Sequence, residues 1–459
     1  MRTAGGIREG ERIAVVGMAR SGFGAVRLAL RENARPIGLD LRRPGERDEQ
    51  IRALESRGAR FVWGPHPIDL LDEVDRVVKS PGVPSTIPFL VAARERGLAI
   101  VSEVELAASV AERPILAITG TNGKSTTTAW AADMVRRGGR AAEPVGNIGR
   151  SLSEGVLDAP PEAILVAEIS SFQLEEIETF HPAGAALLNL TPDHLDRHAD
   201  LSAYREAKMR IFSNQREADH AVLGEDEDLA EEVRRRFRPR IFRFRLADRG
   251  EEGSVLRDGR VLLRIGSTER TLCSDAEVAL PGRHNRENAL AALALVAPLG
   301  LAEEGLVESL RRFPGLPHRL ERIETIESVD YVNDSKATNV DSLVIALAAF
   351  DARLILLAGG RGKGQDFAAA REPVRAHCRR VGLFGEAAET IRSAWGADRC
   401  ERFPDLEEAF LWARATARPG EIVLLSPACA SFDQFRDFEE RGDRFRRLVR
   451  DAAEGKERR

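Results

Sequence analysis

A run of apolar residues, Pro114-Ile115-Leu116-Ala117-Ile118-Thr119, passes without a break into Gly120-Thr121-Asn122-Gly123-Lys124-Ser125-Thr126 and then into a helix-forming stretch. That order constrains the fold strongly. A buried strand, a glycine turn and a helix imply a parallel α/β sheet whose loops gather at the carboxyl edge of the strands. Backbone amides and the helix N-terminus face an anion there, the lysine reaches the terminal phosphates, and the serine hydroxyl can hold Mg²⁺. The spacing departs from strict G-x-x-x-x-G-K-[ST], because Ile118 occupies the first glycine position and Gly120 is the nearer glycine. With strand, glycines, lysine and hydroxyls all in order, the stretch reads as a phosphate loop rather than a turn that exposes a lysine.

The same alternation recurs on both sides. Arg12–Gly17 reads as a strand, Arg20–Gly24 as a glycine-bearing turn, the residues to Arg31 as a helix, and Pro36–Asp40 as a second strand ending in an acid. That is the opening of a Rossmann-like unit, and weaker strands follow at 61–63 and 76–78. Beyond the loop, Ala163–Ile169 and Ala185–Leu190 read as further strands of the central sheet. Residues 220–280 suggest a small antiparallel appendage, and Asn288–Leu299 an alanine-rich helix. Strands at 331–333, 354–357, 381–384 and 422–425 alternate with helices in the last third. The expected fold class is α/β with three domains. These are a Rossmann-like N-terminal domain (1–103), a central P-loop ATPase-like parallel sheet with the appendage (104–315), and a C-terminal Rossmann-like domain (316–459).

Composition narrows the function classes. With 459 residues, 43% hydrophobic and a net charge of −5, the chain has ample material for several cores and no electrostatic case for binding nucleic acid. There is no apolar run of membrane-spanning length and no signal-peptide stretch in the first ten residues, so the expectation is a cytoplasmic protein with no membrane insertion. Four cysteines without paired spacing agree with free thiols in a reducing compartment. Only six of the 68 basic residues are lysines: Lys79, Lys124, Lys208, Lys336, Lys363 and Lys456. Where arginine is the default cation, a retained lysine draws attention to chemistry that only a compact, deprotonatable amine performs.

Several polar residues fall at the ends of expected strands. Glu168 closes Val166-Ala167-Glu168 and can hold Mg²⁺ or cap the next helix. His194 lies in Thr191-Pro192-Asp193-His194, flanked by Asp193 and Asp196, as a candidate metal ligand. Lys208 sits on Ser202–Lys208, either exposed and paired with an acid or serving the site. Asn288 in Gly282-Arg283-His284-Asn285-Arg286-Glu287-Asn288 opens a helix, where a capping role is open to Asn285 equally.

Taken together, these motifs resemble the Mur ligase and folylpolyglutamate synthase superfamily of ATP-dependent amide-forming enzymes. The resemblance spans all three domains in matching order and is strongest at the loop, at Asn333–Asn339 and at Ser426–Phe435. The last tract and Glu168–Gln173 are most similar to the branch that adds D-glutamate to UDP-N-acetylmuramoyl-L-alanine. The resemblance implies that Gly120, Thr121, Asn122, Gly123, Lys124, Ser125, Thr126, Asn288, Arg319 and Asp334 contact ATP. It implies Asp40, Arg42, Ser80, Gly82, Asn147 and His194 for the UDP-substrate, and Lys336, Thr338, Lys363, Ser431, Phe432 and Phe438 for D-glutamate. Lys124, Glu168, His194 and Lys208 are implied as catalytic. Ser125, Glu168, His194 and Lys208, the last carbamylated by CO₂, are implied around two Mg²⁺ ions. Leu41 departs from the family pattern, which has a hydroxyl residue there. A monomer working on small molecules is expected.

Two other classes compete. The N-terminal unit could serve an NAD-dependent oxidoreductase, although its glycines lack G-x-G-x-x-G. The loop could serve a nucleotide-regulated binding protein that never ligates.

Overall fold

The computed structural model describes residues 6–147, 149–191, 198, 200–362 and 364–455. Three sheets follow one another along the chain. The first contains β1 (Arg12–Val16), β2 (Arg35–Asp40), β3 (Arg60–Trp63), β4 (Arg76–Lys79) and β5 (Ala99–Ser102), all parallel in the order β3-β2-β1-β4-β5. The order reverses at β1, so the turns after β1, β2 and β4 open around one crevice.

The second sheet contains β6 (Ile115–Thr119), β7 (Ala142–Gly146), β8 (Ile164–Glu168), β9 (Gly184–Leu187), β10 (His220–Leu223), β11 (Arg240–Arg245), β12 (Gly253–Arg257), β13 (Arg260–Ile265) and β14 (Thr268–Ser274). Its order is β14-β13-β12-β11-β10-β9-β6-β8-β7. β6, the strand feeding the phosphate loop, lies between β8 and β9 with every residue buried. A strand covered on both faces must be apolar throughout, which is why this segment reads as a continuous run. The antiparallel part of the sheet is β12–β14, while β10 and β11 continue the parallel run. The helix Glu227–Arg236 joins β10 to β11, and a helical crossover makes the pair parallel. The alanine-rich helix begins earlier than its composition suggests, at Arg283, and tightens to a 3₁₀ turn at Ala297–Leu299, where Pro298 cannot donate.

The third sheet contains β15 (Glu321–Ile326), β16 (Val329–Asn333), β17 (Leu354–Gly359), β18 (Cys378–Phe384), β19 (Cys400–Arg402) and β20 (Ile422–Leu425), in the order β15-β16-β20-β17-β18-β19. Only β15 is antiparallel. None of the four cysteines is in a disulfide, all are buried, and burial pushes the Cys273 and Cys400 thiols up to about 11.

The chain divides into two compact units: residues up to Ala279 with His284–Phe313, and Leu280–Arg283 with the residues from Pro314 onward. The first two sheets belong to one unit because a buried linker helix joins them. Glu103 and Glu105 sit on that helix, Glu103–Ala108, capped by the Ser102 hydroxyl. The Glu103 carboxylate accepts the Ser153 amide at 2.6 Å. The Glu105 carboxylate accepts the amides of Glu178, Thr179 and Phe180 at 2.8 to 2.9 Å. The helix Arg20–Arg31 also meets the helix Leu152–Asp158 closely, since a Cβ on Gly24 would lie 2.5 Å from Ser151 Oγ. One apolar core runs through both layers, from Ile13 and Val26 to Val145 and Leu187.

Removing the Glu105 acceptor would strand three backbone donors in the interior. Glu105→Leu is expected to lower the stability of this unit by at least about 3 kcal/mol, measured as a reduced midpoint in urea denaturation.

Candidate active site

The phosphate loop closes on a glycine that no other residue can replace cheaply. Gly123 caps the helix Lys124–Arg137 at φ +85°, and a Cβ there would lie 2.2 Å from Asn288 Oδ1. Asn288 is buried and accepts the Thr127 hydroxyl at 3.3 Å. Its side chain therefore lies against the loop from the start of its own helix, and Asn285 Oδ1 accepts its amide at 3.4 Å.

Two lysines reach the same carbonyl. Lys124 Nζ donates to Gly120 O at 3.0 Å and to Thr121 O at 2.8 Å. Lys208, 2% exposed, donates to Gly120 O at 2.8 Å. Its ammonium lies 4.5 Å above the Tyr204 ring, a cation–π contact. The loop is held from the β9 side as well. Asn189 clamps the Asn122 peptide, accepting its N–H at 2.8 Å and donating to its C=O at 3.1 Å. Thr121 Oγ1 donates to Thr191 O at 3.1 Å and lies 3.2 Å from the Tyr204 hydroxyl. Asn189 and Tyr204 are thus parts of the site that sequence reading passed over; a polar residue immediately after a buried strand is the signal that could have found Asn189.

Glu168 ends β8, one strand from the loop, and its register partner on β6 is Ile118. Oε1 accepts the Asn147 side-chain amide at 3.2 Å, and the backbone of Glu168 accepts the Asn147 N–H at 2.9 Å. Oε2 is buried and has no hydrogen-bond partner among the described residues. A buried carboxylate oxygen in that state is costly unless something binds it. Together with the buried Ser125 hydroxyl at the helix start, it fits a hard divalent cation, for which carboxylate and hydroxyl oxygens are the natural donors. His194 lies outside the described residues.

At the first sheet, Asp40 Oδ2 accepts the Met18 amide at 2.7 Å and Oδ1 accepts the Arg42 amide at 3.2 Å. Ser80 donates to Gly17 O at 2.7 Å. These bonds shape the turns that carry Asp40, Arg42 and Ser80, and Gly82 is exposed beside them. Leu41, the departure from the family pattern, is 67% exposed at this rim. Arg20 at the start of its helix bonds the Gly149 carbonyl, which draws the Asn147 loop toward these turns.

In the second unit the loops after β16, β17 and β20 converge on Arg441. This arginine is fully buried and donates to Ser335 Oγ at 2.9 Å, Ser335 O at 2.7 Å and Cys429 O at 3.1 Å. Burial lowers its pKa to about 10. It holds the backbone beside Lys336 and that of the Ser426–Phe435 tract in one arrangement, and sequence reading did not single it out. Lys336 Nζ lies 5.2 Å above the Phe438 ring. Arg361 and Ala430 exchange backbone hydrogen bonds at 2.8 and 3.1 Å, tying the glycine turn to that tract. Ser431 is buried, Thr338 is half-buried and Phe432 is 61% exposed. Arg319 lies at the entry to this unit, beside buried His318, whose backbone N–H donates to Glu321 at 2.9 Å. Lys363 lies outside the described residues. Asp334 is buried, accepts the Ser426 hydroxyl at 2.8 Å, and is pushed up to about 7 by burial.

Three tandem α/β layers with this loop and carboxylate place the chain in a single class, and the family models agree. The Mur ligase MurD-like N-terminal domain matches residues 11–102, the Mur ligase middle domain 118–296, and the Mur ligase glutamate ligase domain 318–429. The chain belongs to the Mur ligase family. Among similar proteins, the UDP-N-acetylmuramoylalanine–D-glutamate ligase of Myxococcus xanthus is 42% identical over 447 residues, 96% of this chain and 98% of that one. The protein of the same description from Pelotomaculum thermopropionicum is 39% identical over 442 residues, 96% and 97% of the two chains. Of solved structures, the Thermotoga maritima UDP-N-acetylmuramate–alanine ligase aligns with a TM-score of 0.58 at 19% identity, covering 96% of this chain and 99% of that one. The T. maritima MurF ligase in complex with ADP aligns with a TM-score of 0.57 at 18% identity, covering 100% and 98%. At those identities the likeness is one of fold.

The Asp334 carboxyl gives a pH signature. An unfolded aspartate loses its proton near 3.8, whereas the folded one keeps it to about 7, so the folded state holds the extra proton between those values. The stability this group contributes is therefore full below the lower value and is lost as pH rises through the upper one. Calorimetry of wild type and Asp334→Asn is expected to show a smaller loss of transition temperature for the variant between about pH 5 and about pH 8. Equal slopes would count against a raised Asp334.

Proposed function

We propose that this protein joins D-glutamate to UDP-N-acetylmuramoyl-L-alanine at the expense of ATP, in the synthesis of peptidoglycan precursors. The observation that carries the reading is the convergence of the phosphate loop, Lys208 and Glu168, whose Oε2 has no hydrogen-bond partner among the described residues, at the carboxyl edge of one sheet. Likeness over nearly the whole chain to D-glutamate ligases supports the choice of substrate. The domain roles follow the sequence expectation: 1–103 for the UDP-substrate, 104–315 for ATP and 316–459 for the amino acid.

A carboxylate is a poor acyl donor, since resonance stabilises it and its charge repels a nucleophile. In the first step a substrate carboxylate oxygen attacks the γ-phosphorus of ATP, the bond to the β-phosphate oxygen breaks, and ADP leaves an acyl phosphate. In the second, the D-glutamate amine attacks the acyl carbon, the C–O bond to phosphate breaks, and the amine's proton passes to solvent or phosphate. Loop amides 120–126 and Lys124 hold the triphosphate in line, so that catalysis is mostly positioning and charge neutralisation. Ser125, Glu168 and His194 would hold Mg²⁺, which supplies charge neutralisation at the transferring phosphoryl group.

Lys208 has a further role in this reading. Its neutral amine adds to CO₂, forming an N–C bond as one C=O π bond opens and releasing one proton, and the resulting carbamate, which replaces the ammonium, would hold a second Mg²⁺ through its oxygens. Arginine cannot do this, in keeping with a lysine retained in an arginine-rich chain. Asp40, Arg42, Ser80, Gly82 and Asn147 bind the UDP-substrate. Asn288, Arg319 and Asp334 contact the nucleotide. Lys336, Thr338, Lys363, Ser431, Phe432 and Phe438 surround D-glutamate. The enzyme acts as a cytoplasmic monomer on small molecules. Among the described residues no helix is long and apolar enough to cross a membrane.

Phosphate release with UDP-N-acetylmuramoyl-L-alanine, ATP and Mg²⁺ is expected with D-glutamate and not with L-glutamate, L-alanine or L-lysine. Lys208→Ala and Glu168→Gln should each lower turnover by about 10²- to 10³-fold. Ligation of another amino acid in place of D-glutamate, or nicotinamide binding without ATP turnover, would overturn the reading.

A further inference from the structure

The chemistry above leaves unused a line of buried and half-buried residues between the first-sheet turn and the phosphate loop. Lys79 is the last residue of β4 and precedes Ser80; its side chain is 0% exposed. Nζ donates to Ser85 Oγ at 2.8 Å and lies 4.0 Å from Glu175 Oε2. The other oxygen of Glu175 is 3.2 Å from His198 Nδ1, and His198 Nε2 is 2.9 Å from Ser171 Oγ. The His198 ring stacks on Phe172 at 5.2 Å, tilted by 6°, and meets Tyr204 edge-on at 5.1 Å. Tyr204 in turn touches the loop through Thr121 and carries the Lys208 ammonium on its face.

Each contact fixes one degree of freedom of the next group. A carboxylate at Nδ1 keeps the proton on that nitrogen and leaves Nε2 to accept from the Ser171 hydroxyl, a tautomer assigned from its partners. With a carboxylate oxygen at Nδ1, a hydroxyl at Nε2 and one face stacked, the imidazole is held in one orientation. That ring walls one side of Tyr204. Apolar side chains of the same volume would fill this space without desolvating an ammonium, a carboxylate and an imidazole. What the polar set adds is orientation.

We propose that Lys79, Glu175 and His198 form a positioning relay that sets the Tyr204 ring and, through it, the placement of Lys208 against the phosphate loop. His198 is a positioning residue, since it acts through Tyr204. The relay runs from the strand that leads into Ser80 to the loop at Gly120, so it spans both layers of the first unit. It rests on the functional reading only in taking Lys208 to serve the nucleotide.

The test is a double-mutant cycle on His198→Ala and Lys208→Ala, read by calorimetric binding of a non-hydrolysable ATP analogue with Mg²⁺. His198→Ala is expected to weaken binding about tenfold, and the double variant to bind within about twofold of Lys208→Ala alone. Additive losses, as from general loosening of the fold, or unchanged binding by His198→Ala overturn the relay. Should His198→Ala fail to fold, Glu175→Ala, at a partly exposed side chain, takes its place in the cycle with a smaller loss expected, also absent when Lys208 is replaced; wild-type binding by that variant overturns the relay too. A wild-type protein that binds the analogue yet does not ligate D-glutamate removes the functional reading and leaves the relay to the binding cycle. Ligation by wild type with an additive cycle removes the relay alone. A wild type that does not bind the analogue removes both.

Discussion

Before the modification proposed for Lys208, two ammonium groups share one carbonyl, that of Gly120, and the end of β6 is organised around this meeting. Like charges so close together repel, and burial strengthens the repulsion. The Gly120 and Thr121 carbonyls and the Tyr204 ring face make the arrangement tenable, while the helix opening on the next residues adds positive potential that favours an anion such as a polyphosphate. The loop's own amides point the same way. Positive potential is therefore built into the end of β6 in a protein whose net charge is −5.

Everything else in that unit keeps this end in place. Asn189 grips the Asn122 peptide, Thr121 is tied to Thr191, and Gly123 leaves room for Asn288. Glu168 arrives one strand from the loop because β8 and β6 are neighbours in register, and its Oε2 has no hydrogen-bond partner among the described residues. The linker helix Glu103–Ala108 makes the first sheet part of the same compact unit through buried carboxyl groups that accept backbone amides. The second unit solves a similar problem with one buried guanidinium. Arg441 satisfies carbonyls from separate loops, and planar geometry suits it to that task better than lysine.

The sequence alone determined the class of fold, the phosphate loop and its helix, the α/β character of all three segments, and the family. These are properties of contiguous residues: a strand buried on both faces has to be apolar along its length, and a glycine–lysine–serine run has to follow it. Glu168 and Lys208 were also legible, the first as an acid at a strand end and the second as one of few lysines. Only the tertiary structure decided that β10 and β11 extend the parallel sheet, because the amphipathic helix between them is masked by dense charge and crossover direction is a property of packing. It alone revealed Asn189, Tyr204, His198 and Arg441. Apart from Asn189, which follows a buried strand, each of these belongs to an ordinary local stretch, with no spacing or composition to mark it. Their importance comes from partners that are distant along the chain, as when Arg441 reaches Ser335, and that hydrogen bond exists only once the helix Phe438–Ala453 has packed against the third sheet.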